Sequence, residues 1–257
     1  MYMPRTYQPA ELMMVEKGDH GRQVRVQTSQ GTQVAFYVPP KEARRAAPAF
    51  LWVVCGGNGS LSLDYTPNVT SWDRRFGFIF LDYPGYGLCQ GDPTPAHVQE
   101  SCRAIITQVW RDLGWQNEEA RTRTGVFGHS LGCAAGLIAA EEMGLTRVIL
   151  CAPFTTMTDM ARSVVGWPLC FLNRHTYNNV ARLEALQAMH ADVRAFHGGD
   201  DEVIPIAMSR ALAQRFPQTF HLTEFPHSHH TEIVYDARES ISRAAIFLAG
   251  TNLTAEK

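Results

Sequence analysis

The stretch Thr124-Gly125-Val126-Phe127-Gly128-His129-Ser130-Leu131-Gly132-Cys133-Ala134-Ala135-Gly136 decides the fold. Its first four residues read as a short buried strand. The Ala- and Gly-rich run Leu131 to Met143 reads as a helix. Between them, Gly128-His129-Ser130-Leu131-Gly132 matches G-x-S-x-G, with a strand before it and a helix after it, as that motif requires. The turn is so tight that side chains two positions before and after the serine would collide, and glycine at 128 and 132 removes them. The expected result is a strained serine backbone with an exposed hydroxyl. The positive end of the following helix then favours developing negative charge.

Working outward, Val24 to Thr28 and Gln33 to Val38 read as two strands around the turn Ser29-Gln30-Gly31. Ala49 to Cys55 is a continuous apolar run, the pattern of a strand buried on both faces; Phe78 to Asp82 and Arg147 to Cys151 repeat it. Val193 to His197 and Thr219 to Phe225 complete the strands. Helical patterns occupy His97 to Leu113, Ile206 to Phe216 and Ala237 to Leu248. Gly114 suits a C-cap and Pro205 a first turn. A hairpin followed by alternating strands and helices predicts an α/β fold, a mostly parallel sheet flanked by helices. The 257 residues fit a single domain, 1–257, with the strandless stretch 153–190 inserted as a short helical lid.

Composition narrows the function classes. Apolar residues make up 45% of the chain and charged residues 19%, and the net charge is −2 with both signs interspersed, which offers nucleic acid no basic face. No apolar run reaches the ~18 residues of a membrane span. Residues 1–20 lack the apolar middle of a signal peptide. Asn58-Gly59-Ser60 has the form of a glycosylation acceptor, but it falls in a loop assigned to the site. A cytoplasmic setting is expected. The six cysteines, Cys55, Cys89, Cys102, Cys133, Cys151 and Cys170, have no zinc-like spacing and read as buried thiols; Cys89 and Cys102 are the pair to check for a disulfide.

A serine hydroxyl needs a base to take its proton. His227-Ser228-His229-His230 follows the last strand, and His230 is the choice, with His229 the alternative. The imidazole in turn needs an acid to hold its tautomer. His197-Gly198-Gly199-Asp200-Asp201-Glu202-Val203-Ile204-Pro205 follows a strand and precedes a helix. Asp201, four residues before Pro205, is preferred over Asp200 and Glu202. Two backbone N–H groups should meet an oxyanion. Leu131, after the serine, supplies one; Asn58 in the loop Gly56-Gly57-Asn58-Gly59-Ser60 supplies the other, with Gly57 as the neighbouring possibility.

Taken together, Gly56 to Gly59, Asp82-Tyr83-Pro84-Gly85-Tyr86-Gly87, Gly128 to Gly132, Ala152-Pro153-Phe154-Thr155, His197 to Pro205 and His230-Thr231-Glu232 make the chain resemble the α/β-hydrolase superfamily. More narrowly, it resembles the short-lid branch that includes bacterial esterases and eukaryotic protein depalmitoylases. The resemblance implies Ser130, Asp201 and His230 as a triad and ester or thioester substrates. Relatives often open the oxyanion loop with His-Gly, where this chain has Gly56-Gly57.

The expected activity is therefore a serine carboxylic ester hydrolase that uses no cofactor and no metal and takes a small-molecule acyl ester. Gly57, Met157, Met160 and Trp167 are expected to contact substrate; Val164, Leu169 and Phe171 are further candidates for the acyl wall. The short lid suggests small to medium acyl groups. Amide or peptide hydrolysis by the same residues is the alternative, and ligand binding without turnover the rival from another class. A metal site at His227, His229 and His230 lacks further ligands at matching spacing. Oligomeric state is not legible in the sequence.

Overall fold

The computed structural model describes residues 2–13, 15, 21–42, 47–165 and 177–250. Its strands are β1 (Arg22–Thr28), β2 (Gly31–Val38), β3 (Phe50–Cys55), β4 (Phe76–Leu81), β5 (Thr124–His129), β6 (Arg147–Cys151), β7 (Asp192–Gly198) and β8 (Phe220–Phe225). They form one sheet in the order β1-β2-β4-β3-β5-β6-β7-β8. β2 runs antiparallel to both of its neighbours, and every pairing from β4 to β8 is parallel. The chain lays β4 on one side of β3 and then crosses to lay β5 on the other. That reversal opens a crevice at the carboxyl ends of β3 and β5.

The helices are α1 (Pro9–Met13), α2 (Thr66–Val69), α3 (Pro95–Asp112), α4 (Asn117–Thr122), α5 (Leu131–Met143), α6 (Met157–Val165), α7 (Asn179–Ala188), α8 (Ile206–Arg215), α9 (Ile233–Asp236) and α10 (Arg238–Ala249), with a 3₁₀ turn at Ser62–Tyr65. α3 starts where Thr94 accepts the His97 N–H at 3.2 Å, with Pro95 in the first turn, and its apolar stripe Val98, Cys102, Ile105 and Val109 is buried. Past its end Gly114 takes φ 72°. α5 is apolar on every side up to its last turn because it is covered there: it lies against β3, β5 and β6 and is flanked by α3 and α7. α10 covers β6 and β7.

The periodicity reading recovers all eight strands with ends shifted by at most two residues; β3 and β4, buried at every position, read as unbroken apolar runs. α1 and α4 carry no such pattern and are found only in the structure. The stretch 153–190 holds α6 and α7, pinned at its base by an isolated antiparallel bridge between Thr156 and Asn178. α7 buries Leu183 and Leu186 and packs on α5, so this half belongs to the helical layer. Cys89 and Cys102 do not pair: both are free and buried, and the Cys89 Sγ lies 3.2 Å from the Val34 carbonyl. Cys170 lies outside the described residues, as do Trp167, Leu169 and Phe171; Val164 belongs to α6, but its side chain is outside the description. No described helix is long and apolar enough to cross a membrane.

The first turn of α5 sits directly on the end of β3. A Cβ at Gly132 would lie 2.1 Å from the Cys55 carbonyl oxygen and 2.6 Å from that of Gly56; one at Gly128 would lie 2.3 Å from the Gly132 carbonyl oxygen. Both obstacles are backbone and cannot swing aside. Gly132→Ala is expected to cost more than about 3 kcal/mol or to prevent accumulation of folded protein. Gly144→Ala, at φ 68° against only the Arg121 side chain, should cost about 1–2 kcal/mol. Urea unfolding of the two variants checks the contrast.

Candidate active site

Three loops meet at the crevice. The first is the turn between β5 and α5. Ser130 takes φ 56° and ψ −120°, a conformation that a side chain adopts only under constraint. Here the constraint is twofold: its N–H donates to the Cys151 carbonyl at the end of β6 (2.9 Å), and its carbonyl accepts the Cys133 N–H (2.9 Å). The hydroxyl is thereby lifted off the sheet end, and Leu131 begins α5 with an N–H that no earlier turn of helix can satisfy.

The second and third loops follow β7 and β8 and lie backbone to backbone. The Gly199 N–H donates to the Phe225 carbonyl (2.8 Å) and the Asp200 N–H to that of Ser228 (3.2 Å). A Cβ at Gly198 would stand 2.1 Å from the Ser228 carbonyl oxygen, so only glycine permits this approach. It sets Asp201 opposite His230. The His230 Nδ1 lies 2.8 Å from Asp201 Oδ2, and its Nε2 lies 3.0 Å from Ser130 Oγ. The three side chains form one hydrogen-bonded line, with the Asp201 carboxylate fully enclosed and the imidazole nearly so.

Burial alone would push the Asp201 carboxyl upward. Hydrogen bonds from His197, His230 and the Ile204 N–H outweigh that and hold it well below the usual carboxylate range. Val203 and Ile204 N–H groups donate to Oδ1 at 2.9 and 2.7 Å. His197 was quoted in the sequence without a role. Fully buried, it sets its Nε2 3.1 Å from Asp201 Oδ2 and 2.9 Å from the Ile204 carbonyl, while its Nδ1 meets Ser209 Oγ at 2.6 Å. Both groups at Nε2 only accept, so Nε2 carries a proton.

The other acids and histidines of these loops face outward. His229 pairs with Glu202 at 3.2 Å and His227 stands 3.7 Å from Asp200, all four exposed. Among the described residues no three His, Cys, Asp or Glu side chains gather to hold a metal ion.

The loop after β3 closes the crevice, and four groups brace it. The Tyr83 hydroxyl donates to the Gly56 carbonyl, the Tyr86 hydroxyl donates to Asn58 Oδ1 (2.8 Å), and Asp82 accepts the Ser62 N–H (2.8 Å). The motif Asp82 to Gly87 is thus a scaffold for this loop. Tyr65 is the fourth: its hydroxyl accepts the Gly57 N–H at 3.1 Å. That N–H is therefore committed inside the protein. A Cβ at Gly57 would touch the floor of the site, 3.3 Å from His129 Nδ1 and 3.5 Å from Ser130 Cβ. Met157 and Met160 lie on α6, partly buried against the core.

His129, the variable residue of the G-x-S-x-G turn, was not singled out in the sequence. It is buried beneath the site. Its Nδ1 meets the Tyr65 hydroxyl at 2.7 Å, its Nε2 meets the His230 carbonyl at 3.0 Å, and its ring lies 5.1 Å from the His230 ring. Burial and the neighbouring His230 push its pKa down to about 4, so the ring is neutral. A carbonyl only accepts, which puts the proton on Nε2 and leaves Nδ1 to accept from Tyr65.

Residues 50–251 match the family described as "Alpha/beta hydrolase family". The Mycobacterium tuberculosis protein named "Uncharacterized protein Rv2307c" is 29% identical over 193 residues, 75% of this chain and 66% of that protein, so the chain spans slightly less than two thirds of the relative's length. Among solved structures, the alpha-beta hydrolase from Vibrio vulnificus superposes with a TM-score of 0.73 at 13% identity, over 95% of this chain and 88% of that one. The Pyrococcus furiosus esterase Pf2001 superposes with a TM-score of 0.66 at 12% identity, over 97% and 98%.

The tautomer of His129 is open to measurement. Long-range ¹H–¹⁵N spectra should report a neutral ring protonated at Nε2 at pH 6, titrating only as the pH approaches about 4. An ordinary titration near pH 6.5 would contradict the neutral buried ring, and a proton on Nδ1 would contradict the hydrogen-bond assignment.

Proposed function

The chain belongs to the alpha/beta hydrolase family, and on that footing we propose that it is a serine hydrolase cleaving carboxylic esters, thioesters included, through an acyl-enzyme on Ser130. The observation that carries the reading is the line from Ser130 Oγ to His230 Nε2 to Asp201, at 3.0 and 2.8 Å, built on a serine held at positive φ.

In this reading Ser130 Oγ attacks the ester carbonyl while His230 Nε2 takes its proton. The enclosed Asp201 carboxylate accepts from Nδ1–H and stabilises the imidazolium. Negative charge on the former carbonyl oxygen is met by the N–H groups of Leu131 and Asn58, with the N-terminus of α5 behind them. His230 then returns the proton to the leaving alcohol or thiol. A water molecule, deprotonated by the same imidazole, releases the acyl group. No step calls for a cofactor. In this reading α6 borders the site, with Met157 and Met160 beside the acyl chain, while α7 stays in the helical layer against α5. The lowered pKa of Asp201 supports its role, because a carboxylate that stays charged holds the imidazolium across the working pH range.

Fluorophosphonate should label Ser130, and Ser130→Ala should abolish labelling and lower kcat by about 10⁴- to 10⁶-fold. Folded wild-type protein that binds acyl esters saturably yet is neither labelled nor turns them over would replace the hydrolase with a binding protein.

Asp201→Asn should leave KM nearly unchanged and lower kcat by about 10⁴-fold, since an amide holds the wrong imidazole tautomer. Matched p-nitrophenyl ester, thioester and anilide substrates of one acyl chain settle the leaving group. Faster anilide than ester turnover would favour the amide-hydrolase alternative.

A further inference from the structure

Four groups under the site form a directional chain of hydrogen bonds that none of the proposed chemical steps uses. The Gly57 N–H donates to the Tyr65 oxygen at 3.1 Å, and the Tyr65 O–H points on to His129 Nδ1 at 2.7 Å. The His129 Nε2–H ends on the His230 carbonyl at 3.0 Å. Each member has one role available to it. The peptide N–H only donates and the peptide carbonyl only accepts, so the phenol and the imidazole between them can relay in one direction alone. All of it is enclosed: Tyr65 is 6% exposed and His129 5%. Burial also holds the Tyr65 hydroxyl far above its ordinary pKa, so its proton stays in place.

The ends of this chain are the two segments whose relative position matters most to acyl transfer. One end is the Gly56–Gly57 peptide, which precedes the N–H of Asn58 in the loop after β3. The other is the backbone of the imidazole-bearing residue itself, 173 positions further along the sequence. Between them stands His129, the residue before Ser130. We infer that Tyr65 and His129 are positioning residues that fix the oxyanion loop and the His230 backbone to one another through the turn that carries Ser130.

The inference rests on the ester-hydrolase reading of Ser130 for its kinetic consequence, although not for its geometry. Removing the Tyr65 hydroxyl unties the loop from the imidazole without touching Ser130, His230 or Asp201. The ring itself keeps its packing against Phe127 and His129. A displacement of the order of 1 Å between reacting groups costs about 100-fold in rate, whereas ground-state binding of the acyl chain depends on other residues.

The test compares Tyr65→Phe, His129→Leu, His129→Gln and the double variant Tyr65→Phe/His129→Leu with wild type. It uses a p-nitrophenyl ester, fluorophosphonate labelling of Ser130, and the proton resonance of the His230 Nδ1–H. Tyr65→Phe is expected to lower kcat and the labelling rate by about 10- to 100-fold while KM moves less than about twofold. His129→Gln keeps an N–H able to reach the His230 carbonyl and should recover part of what His129→Leu loses. The double variant should be no slower than the slower single variant, because both break the same chain. The His230 Nδ1–H resonance should shift or broaden in Tyr65→Phe. Wild-type kcat and labelling rate in folded Tyr65→Phe, or losses that multiply in the double variant, would overturn the inference. If wild-type Ser130 proves unreactive, the hydrolase reading fails. The proton resonance then decides alone: unchanged in both single variants, it overturns the positioning role as well.

Discussion

The contact between the first turn of α5 and the end of β3 is the constraint on which the rest depends. Gly132 lies so close to the carbonyls of Cys55 and Gly56 that no side chain fits between them. This contact seats the Ser130 turn against the start of the loop 56–60, so a hydroxyl and a set of backbone N–H groups share one crevice. It also forces Ser130 into positive φ. Local backbone strain of this kind costs roughly 1–3 kcal/mol and persists only where surrounding structure overdetermines it. Here the hydrogen bonds to Cys151 and Cys133 and the burial of nearly all of α5 supply that surrounding structure.

Around this seat the site is braced with side chains that have no part in the proposed chemistry. Tyr83, Tyr86, Asp82 and Tyr65 hold the loop after β3 from one side. His197 holds Asp201 from the other, and is itself fastened to Ser209. A buried polar group left unmatched costs about 1–3 kcal/mol, so each hydroxyl or ring that fits its partners also penalises arrangements in which it would not. The consequence is a rigid arrangement in which donors and acceptors are already aimed at one another. The exposed pairs His229–Glu202 and His227–Asp200 ring this interior, where solvent screens them and they contribute little to its rigidity.

Much was legible from local patterns. The fold followed from apolar runs at β3 to β6, from the hairpin turn at Gly31 and from the amphipathic stripe of α3, because burial on both faces or on one stripe imposes a period that composition records. Ser130, Asp201 and His230 were legible for another reason: each sits at a fixed offset from a strand end, and the glycines and proline beside them mark turns of one geometry. In the structure the His230 ring lies between Asp201 and Ser130 Oγ, while His229 and Glu202 pair with each other at the surface. Tyr65, His129 and His197 were not legible. Tyrosine and histidine within apolar surroundings look like any other core residue, and what distinguishes these three is a hydrogen-bond partner that only the fold brings up: His129 for Tyr65, His230 for His129, and Asp201 and Ser209 for His197.

By itself, then, the sequence determined the order of elements and the turns that present a serine, an acid and a base, since those depend on residues within a few positions of one another. Tertiary structure alone decided which N–H groups of the loop after β3 are committed inside the protein, which histidine ring is held neutral, and that α7 belongs to the helical layer. Those outcomes depend on where hydrogen-bond donors find acceptors across the sheet, and that is set by the packing of α5 on β3 and of the loop after β7 on the loop after β8.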